Sequence, residues 1–315
     1  MMDGTDRHCR YFHRQLSARA RLYTEMITTG ALLHGDVPRH LDFDAAERPV
    51  ALQLGGSEPD ELAQCARLGE RWGYDEINLN CGCPSERVQR GSFGACLMAD
   101  PPLVADCIKA MRDAVSVPVT VKHRIGIDRT EDYAFVRDFV GVLHDAGSDV
   151  FIVHARNAWL HGLSPKDNRE VPPLRYETVR RLKSDFPAAT FVLNGGVMSL
   201  AQARDELAQV DGVMLGRAPY HEPFLLAQVD RALFDSTDAP ATRDDVVEAM
   251  SAYLERVLPS GVSPRAVVRH MYGLYAGARG ARRWRQLLSD SKFLDRYGAD
   301  CLRVAGEVFA EKMPA

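Results

Sequence analysis

The chain alternates short apolar segments with longer stretches in which apolar residues recur every three or four positions. The short segments are rich in β-branched residues and bounded by turns, which is typical of buried parallel strands. Strands are predicted at 22–29, 50–56, 76–82, 119–126, 150–156, 190–196 and 212–217. The stretches between them carry helix-start signals, such as Asp100 before Pro101 and Ser199 three residues before Gln202. Strict alternation of strands and helices predicts a parallel sheet covered by helices.

Polar side chains end nearly every predicted strand, which favours a closed (β/α)8 TIM barrel over an open doubly wound sheet. The carboxyl ends of barrel strands meet at one mouth, whereas a doubly wound sheet concentrates functional residues at one switch point. The strand-end residues are Glu25, Gln53, Asn80, Lys122, His154, Asn194 and Arg217. Seven strands are one fewer than a barrel needs, so we expect the first strand to be truncated in this chain.

Residues 235–242 (DSTDAPAT) have the composition of a linker. They separate a predicted barrel domain, residues 1–234, from a region at 243–315 that has a helical pattern throughout. Thr242 begins that region as a helix cap. Four basic residues surround Trp284 in it: Arg279, Arg282, Arg283 and Arg285.

The composition, 46% hydrophobic and 26% charged, is that of a globular protein outside the membrane. No apolar run is long enough to cross a bilayer, and the polar, acidic start of the chain does not fit a signal peptide. We expect a cytoplasmic protein whose seven cysteines are reduced. The net charge of -4 argues against bulk attraction to nucleic acid, although a local basic patch would still act through its nearby field.

The run NLNCGCPS at 78–85 places a thiol directly after an apolar strand. Gly82 and Pro84 end that strand, so we expect Cys83 to lie in a loop as the reactive thiol and Cys81 to pack in the core. A Cys-x-Cys pair would also suit a metal ion, but no second cysteine pair or nearby histidine completes a zinc site. No metal site is therefore predicted.

Two glycine-rich turns, at 194–196 (NGG) and 216–217 (GR), follow the last two predicted strands. Backbone N–H groups at this place in a barrel commonly bind phosphate, and the pair of turns favours that function over simple tight turns. Lys122 would meet an anion in the barrel mouth or else extend its side chain into solvent. His154 suits a structural and a binding role about equally. Gln53 carries an amide that suits the edge of a flat heterocycle.

The segment 155–175 is a long loop between a strand and a helix, and loops of this length are usually functional or mobile. It interleaves basic side chains with an aromatic ring: Arg156, Trp159, His161, Lys166 and Arg169. This composition suits phosphate contacts and base stacking. A solvated lid anchored by the tryptophan explains the segment equally well.

The chain resembles the tRNA-dihydrouridine synthases, in particular the A-type subfamily that acts on D-loop positions 20 and 20a. The matching stretches are TDRHCRYF (5–12), LYTEMITTGALLHG (22–35), PVALQLGGS (49–57), GYDEINLNCGCPSERVQRGSFGACLM (73–98), PVTVKHRIGID (118–128), HARNAWLHGLSPKDNRE (154–170), NGGV (194–197) and DGVMLGR (211–217). The resemblance implies an FMN-binding TIM barrel, followed by a helical domain that helps to bind tRNA. NADPH would drive the reduction of the C5–C6 double bond of uridine to 5,6-dihydrouridine, in an enzyme that we expect to be monomeric.

The resemblance also assigns roles to single positions. Cys83 would be the general acid for C5 of the uracil, since a cysteine thiol is mostly protonated at neutral pH. Asn80 would contact the target nucleotide. The residues that bind FMN would be Met1, Met2, Gln53, Lys122, His154, Asn194, Gly195, Gly196, Gly216 and Arg217. The residues that contact tRNA elsewhere would be Lys166, Arg169, Arg282 and Arg285.

The chain begins where the family's first strand ends, in agreement with the seven strands counted above. A barrel with an open seam exposes strand edges, so we expect the chain to fold poorly or to bind FMN weakly. Two other functions remain open. An FMN barrel dehydrogenase for free pyrimidines, such as dihydroorotate, would need neither the basic helices nor the long loop. A flavin-free tRNA-binding protein would keep both, but the full set of strand-end residues favours the synthase.

Overall fold

The structure, a computed structural model, describes residues 1–85, 88–89, 91–130 and 132–310. These residues pack as two compact units. The first unit comprises Met1, Leu22–Phe43 and Arg48–Gly216, and the second comprises Met2–Arg21, Asp44–Glu47 and the residues from Arg217 onward. The functional division into a 1–234 barrel domain, a 235–242 linker and a 243–315 helical domain stays a prediction, and its last residues, 311–315, lie outside the described part of the chain.

The first unit is built on one parallel sheet. Its strands are β1 (Leu22–Thr28), β2 (Val50–Gly55), β3 (Glu76–Cys81), β4 (Val119–Arg124), β5 (Val150–His154), β6 (Thr190–Asn194) and β7 (Gly212–Met214). All seven predicted strands are confirmed, although each ends one to three residues earlier than predicted. Neighbours along the chain are neighbours in the sheet, from β1 to β7. A doubly wound sheet would reverse its strand order, so this sequential order confirms the barrel type of fold.

Helices follow the strands and also make up the second unit. The α-helices of the described residues are α1 (Arg7–Arg14), α2 (Thr29–His34), α3 (Val37–Leu41), α4 (Pro59–Trp72), α5 (Pro101–Ala114), α6 (Tyr133–Asp145), α7 (Tyr176–Asp185), α8 (Leu200–Leu207), α9 (Arg217–His221), α10 (Val229–Leu233), α11 (Arg243–Val257), α12 (Pro264–Val268), α13 (Ala281–Ser289), α14 (Ser291–Tyr297) and α15 (Cys301–Ala310). The predicted cap of α5 is confirmed, because Asp100 accepts a bond from the N–H of Leu103 at 3.2 Å. Ser199 caps α8 in the same way.

Alternation along the strands separates two faces of the sheet. A Cβ placed on Gly69 of α4 would lie 2.6 Å from Leu52 Cδ2 and 2.7 Å from Ile77 Cδ1, so these two residues face the helix at close range. Their neighbours Gln53 and Asn78 therefore point to the opposite, inner face. The sheet buries its apolar residues against the helices and its polar residues inside.

Aromatic rings fill the outer layer between β4, β5 and β6. The rings of Phe151 and Phe191 stack with centroids 5.4 Å apart, and both residues are fully buried. The His123 ring lies 5.2 Å from Phe139 of α6. Complete burial of a phenylalanine contributes about 1.5–3 kcal/mol, so this layer is a large part of what holds helices on the strands.

The second unit is helical, as its sequence pattern predicts. Thr242 and Asp245 form a reciprocal capping box at the start of α11. Trp284 is fully buried, and its Nε1 donates to the carbonyl oxygen of Met271 at 2.8 Å. Tyr11 of α1 stacks on Tyr253 of α11 with centroids 4.0 Å apart, so the N-terminal helix packs with this unit.

Candidate active site

The inner face of β3 begins with a buried carboxylate that accepts two hydrogen bonds. Glu76 receives the hydroxyl of Tyr23 at 2.9 Å and the hydroxyl of Thr120 at 2.6 Å, both on Oε1. Since the Thr120 hydroxyl donates its proton there, its lone pairs accept from Asn78 Nδ2 at 2.8 Å. The carboxylate thus fixes which end of the Asn78 amide faces Thr120.

The orientation of the Asn78 amide in turn fixes the orientations of two further amides, toward the carboxyl end of the strand. Gln53 Nε2 donates to Asn78 Oδ1 at 2.8 Å, and Asn80 Nδ2 donates to Gln53 Oε1 at 2.7 Å. The remaining oxygen of Asn80 accepts the backbone N–H groups of Gly82 and Cys83, each at 3.0 Å. We call this series from Glu76 to Asn80 the amide chain. It leaves one orientation for each amide and ends at the backbone of Cys83.

Cys83 lies in a loop directly after β3, as predicted. β3 ends at Cys81, and the carbonyl oxygen of Cys83 accepts from the N–H of Ala95 at 2.9 Å. The thiol is half-buried, and its Sγ lies 3.6 Å from the hydroxyl of Ser85. Cys83 is therefore a positioned thiol that solvent can still reach.

The other thiols near this loop or on helices are packing groups. Cys81 is fully buried, and burial raises the pKa of its thiol well above the ordinary value. Burial likewise raises the pKa of Cys65 and of Cys107 to about 12. A thiol that is always protonated and screened from solvent neither attacks nor exchanges its proton.

Lys122 is a half-buried lysine whose charged form is disfavoured by its surroundings. Its Nζ donates to Asn194 Oδ1 at 3.0 Å, across the intervening strand β5. Burial, followed by the neighbouring charge of Arg124, lowers the pKa of Lys122 to about 7. Among the described residues no carboxylate forms an ion pair with it, so an anion is the partner that would restore its charge.

The turn after β6 offers backbone in place of side chains. Gly195 and Gly196 both have positive φ, at 113° and 69°. A Cβ on Gly195 would lie 2.4 Å from Cδ2 of His154, the buried last residue of β5. Tyr176 donates its hydroxyl to the carbonyl oxygen of Gly195 at 2.5 Å and fixes the turn. Only glycine fits there, because His154 and Leu174 fill the space that a Cβ would take.

The remaining predicted cofactor residues lie at the first two positions of the chain and after β7. Met1 belongs to the first unit, and its Sδ would lie 3.8 Å from a Cβ on Gly216. Met2 and Arg217 belong to the second unit. Arg217 does not end a strand, because β7 stops at Met214 and Arg217 is the first residue of α9.

The long loop at 155–175 is held by two buried asparagines that the sequence pattern did not single out. Asn168 accepts from the N–H of Trp159 at 2.8 Å and donates Nδ2 to the carbonyl of the same residue at 2.9 Å. Asn157 donates to the carbonyl oxygens of Asp128 at 3.0 Å and Thr130 at 2.6 Å. These bonds give the loop a defined shape at its two asparagines. Its role, as a surface for phosphate contacts and base stacking or as a solvated lid, stays a prediction.

Two further residues, also missed from the sequence, join the long loop to the Cys83 loop. Arg124 is buried, with Nε bonded to the carbonyl of Gly82 at 3.2 Å and Nη1 bonded to Asn157 O at 3.2 Å and Asn168 O at 2.9 Å. Gln89 donates Nε2 to the carbonyl oxygens of Pro84 at 2.8 Å and Leu160 at 2.7 Å. Arg124 follows Lys122 by two positions on the same strand face, and this spacing is the one signal that could have identified it.

A cleft of ≈ 860 Å³ lies between the two loops. It is lined by Pro84, Gln89, Leu160, His161, Gly162, Leu163, Ser164 and Pro165. Lys166 and Arg169 are exposed on the same long loop. A cleft of this size beside the Cys83 loop is large enough for a nucleotide.

The predicted residues of the second unit are described separately. Arg282 and Arg285 both lie on α13 and are exposed, whereas Trp284 between them is buried. The helix therefore presents its basic residues to solvent and its indole to the core. The tRNA contacts assigned to these arginines stay predictions.

A family model described as dihydrouridine synthase (Dus) matches residues 1–309. The chain belongs to the dihydrouridine synthase family. The family predicted from the motifs is thus confirmed, and with it the TIM-barrel class of fold.

Similar proteins of known name support the same assignment within the family. The chain is 60% identical over 289 residues to the tRNA-dihydrouridine(20/20a) synthase of Pseudomonas syringae pv. tomato, covering 92% of this chain and 86% of that protein. Proteins of the same name in Escherichia coli K12 and Synechocystis are 56% and 52% identical, over 95% and 100% of this chain and 86% and 93% of their own lengths.

The described residues of this dihydrouridine synthase contain neither a metal-binding cluster nor a helix that could cross a membrane. In the described part of the chain, no cluster of three or more His, Cys, Asp or Glu residues is placed to hold a metal ion. None of the described helices combines the length and the apolar character that crossing a membrane requires.

Proposed function

We propose that the protein reduces uridine to 5,6-dihydrouridine at D-loop positions 20 and 20a of tRNA, with FMN as bound cofactor and NADPH as reductant. The names of the relatives supply the reaction and the positions. The observation that carries the proposal is the half-buried Cys83 thiol, whose backbone is fixed by Asn80 beside the large cleft. The protein is then a flavin-dependent oxidoreductase that acts on RNA.

The inner face and the turn after β6 fit a planar, anionic cofactor with a phosphate. Lys122 is half-buried and has no carboxylate partner among the described residues, and Gly195 with Gly196 forms a tight turn that only glycine fits, whose backbone would contact the phosphate. A bound flavin would supply the hydride that reduces the uracil ring. The proposed FMN-binding residues are Met1, Met2, Gln53, Lys122, His154, Asn194, Gly195, Gly196, Gly216 and Arg217.

Cys83 would supply the proton that C5 of the uracil needs when the double bond is reduced. A thiol is a suitable general acid because it is mostly protonated at neutral pH. After each turnover the sulfur would take its proton back from solvent, with the Ser85 hydroxyl, which accepts from Sγ at 3.6 Å, as a relay. Asn80 holds the Cys83 backbone through its oxygen, and its proposed contact to the target nucleotide would use the second N–H of its amide.

The exposed basic residues would bind the tRNA backbone. Lys166 and Arg169 project from the long loop, and Arg282 and Arg285 project from α13. Charge-assisted contacts of this kind position an RNA without reading its sequence. The chain's net charge of -4 does not oppose this proposal, because the contacts are local.

The deciding experiment supplies the purified protein with NADPH and tRNA that lacks dihydrouridine. We expect flavin absorbance in the visible spectrum and dihydrouridine at positions 20 and 20a by mass spectrometry of tRNA fragments. Free uracil and dihydroorotate, tested in parallel, should not react. Turnover of either free pyrimidine would favour a small-molecule dehydrogenase. Tight tRNA binding by a colourless protein would favour a flavin-free tRNA-binding protein.

A further inference from the structure

A smaller pocket of ≈ 300 Å³ lies beside the long loop. It is lined by Arg129, Asn157, Trp159, Pro173 and Arg175. None of these side chains has a role in the function proposed above. Asn157 holds the long loop in place. We propose that this pocket binds a second nucleotide of the tRNA, close to the reacting uridine, through its phosphate and its base.

The charge of the pocket favours an anion. Arg129 is exposed and makes no hydrogen bond or ion pair with the described residues. Arg175 is fixed by bonds from Nη2 to the side-chain oxygen of Asn157 and to the carbonyl of Thr130, yet its Nε has no partner among the residues that the structure describes. Two guanidinium groups, with no carboxylate among the described lining residues, suit the charge-assisted contacts that a phosphate makes.

The indole of Trp159 adds a flat surface to these charges. The guanidinium carbon of Arg129 lies 5.1 Å from the centre of the Trp159 ring. A nucleobase stacks on an indole or on a guanidinium plane, and such stacking is worth about 1–3 kcal/mol per base. Phosphate donors next to a stacking surface therefore suit a nucleotide better than a free inorganic anion.

The Arg124 side chain joins the wall of the pocket to the Cys83 loop. Arg124 bonds both the carbonyl of Gly82, next to Cys83, and the carbonyl of Asn157 in the pocket wall. A uridine that leaves its stack to reach Cys83 also unstacks its neighbours, which then need a new surface. The pocket is close enough to offer one, on the same loop that carries Lys166 and Arg169.

This inference rests on the proposed function, because tRNA is the polyanion that it requires. The reductant NADPH also carries phosphates and a base, and it is the main competing ligand. The binding equilibrium with tRNA and the reduction of bound flavin by NADPH without tRNA report the two ligands separately. Loss of the proposed function would be visible first, as a wild-type protein that neither binds nor modifies tRNA.

The test compares Arg129→Ala with Arg181→Ala. Arg181 is also exposed and lies over an aromatic ring of the same unit, 3.8 Å from the centre of Tyr133, but it lines neither pocket. We expect Arg129→Ala to weaken tRNA binding about tenfold and to reduce the slope of log affinity against log salt by about 1. Arg181→Ala should leave both quantities unchanged.

Replacement of the ring separates stacking from charge. Trp159→Leu should weaken tRNA binding about tenfold with an unchanged salt slope, and Trp159→Phe should restore most of the affinity. An unchanged tRNA affinity in both Arg129→Ala and Trp159→Leu would overturn the proposal. So would a slower reduction of bound flavin by NADPH in Arg129→Ala, because the pocket would then belong to the reductant. Equal flavin absorbance and melting temperature in all variants would show that they are folded.

Discussion

The loop after β3 and the turn after β6 belong to the same unit, but they are held in different ways. Side chains hold the Cys83 loop, since the amide chain ends on its backbone N–H groups. Backbone conformation shapes the turn at Gly195 and Gly196, where both φ angles are positive and where His154 and Leu174 fill the space of a Cβ. A proton donor needs one atom in one place, whereas a phosphate needs several N–H groups at close range. The two constructions match these two demands.

Replacing the Cys83 thiol should give the largest effect, and it should change the chemistry at the Cys83 loop without changing the turn after β6. Cys83→Ala is expected to lower kcat for tRNA reduction by about 10²-fold or more, because a general acid contributes about 10²–10⁴-fold. Flavin binding and flavin reduction by NADPH should stay normal. Cys96→Ala is the matched control, since Cys96 is the other half-buried cysteine. A normal rate of tRNA reduction in Cys83→Ala would mean that another group donates the proton.

A methyl group in the turn after β6 should affect flavin binding and leave the Cys83 loop unchanged. Gly195→Ala is expected to weaken flavin binding at least about tenfold, because its Cβ would meet the His154 ring and a positive φ costs about 1–2 kcal/mol. Gly261→Ala is the control, since Gly261 has a φ of 88° but no atom within 4 Å of a new Cβ. Flavin fluorescence titration measures the affinity. Equal affinity in the two variants would show that the turn does not hold the cofactor.

A break in the middle of the amide chain should have an intermediate effect. Thr120→Val keeps the side-chain volume but removes one bond from Glu76 and one from Asn78. We expect a loss of about 1–3 kcal/mol in the free energy of unfolding and a several-fold lower kcat for tRNA reduction. Thr120→Ser keeps the hydroxyl and should recover both quantities. If Thr120→Val loses stability but keeps the full rate, the amide chain does not position Cys83.

Lys122 should make both the stability of the flavin-free protein and the binding of the cofactor depend on pH. Its pKa is lowered to about 7 in the folded chain without an anion, so above pH 7 the folded chain lacks a proton that the unfolded chain still binds. The free energy of unfolding of flavin-free protein should therefore rise with pH between about 7 and 10. An anionic cofactor should restore the proton, with an uptake approaching one proton on binding at pH 8–9. Calorimetry in two buffers of different ionisation enthalpy measures this uptake, and Lys122→Met should abolish it.

Most elements of the barrel unit were predictable from local pattern. The seven strands follow from apolar runs bounded by turns, and the helix starts at Asp100 and Ser199 follow from cap residues. The predicted strands extend one to three residues beyond the observed ones, because the prediction included polar residues such as Arg217 that follow the strands. Arg217 instead begins α9, since a strand ends where its neighbour no longer offers hydrogen bonds.

The supports of the site were much harder to predict. All four supports act through bonds to backbone carbonyls: Asn168 within its own loop, and Asn157, Gln89 and Arg124 between separate segments. Gln89 reaches 71 residues along the chain to Leu160. No local period marks such contacts, because a polar residue in a loop has the same composition signal whether it is buried or exposed. Arg124 alone had a signal, its place two residues after Lys122.

The sequence by itself determined the parallel β/α order, the position of Cys83 after a strand, and the family, because each depends on residues close together in the chain. The tertiary structure decided which way each amide points, why Lys122 lacks a carboxylate partner among the described residues, and that Arg124 links the two loops beside Cys83. These properties arise between residues that are distant in sequence. Their hydrogen bonds exist only once the strands have paired and water has been removed from between them.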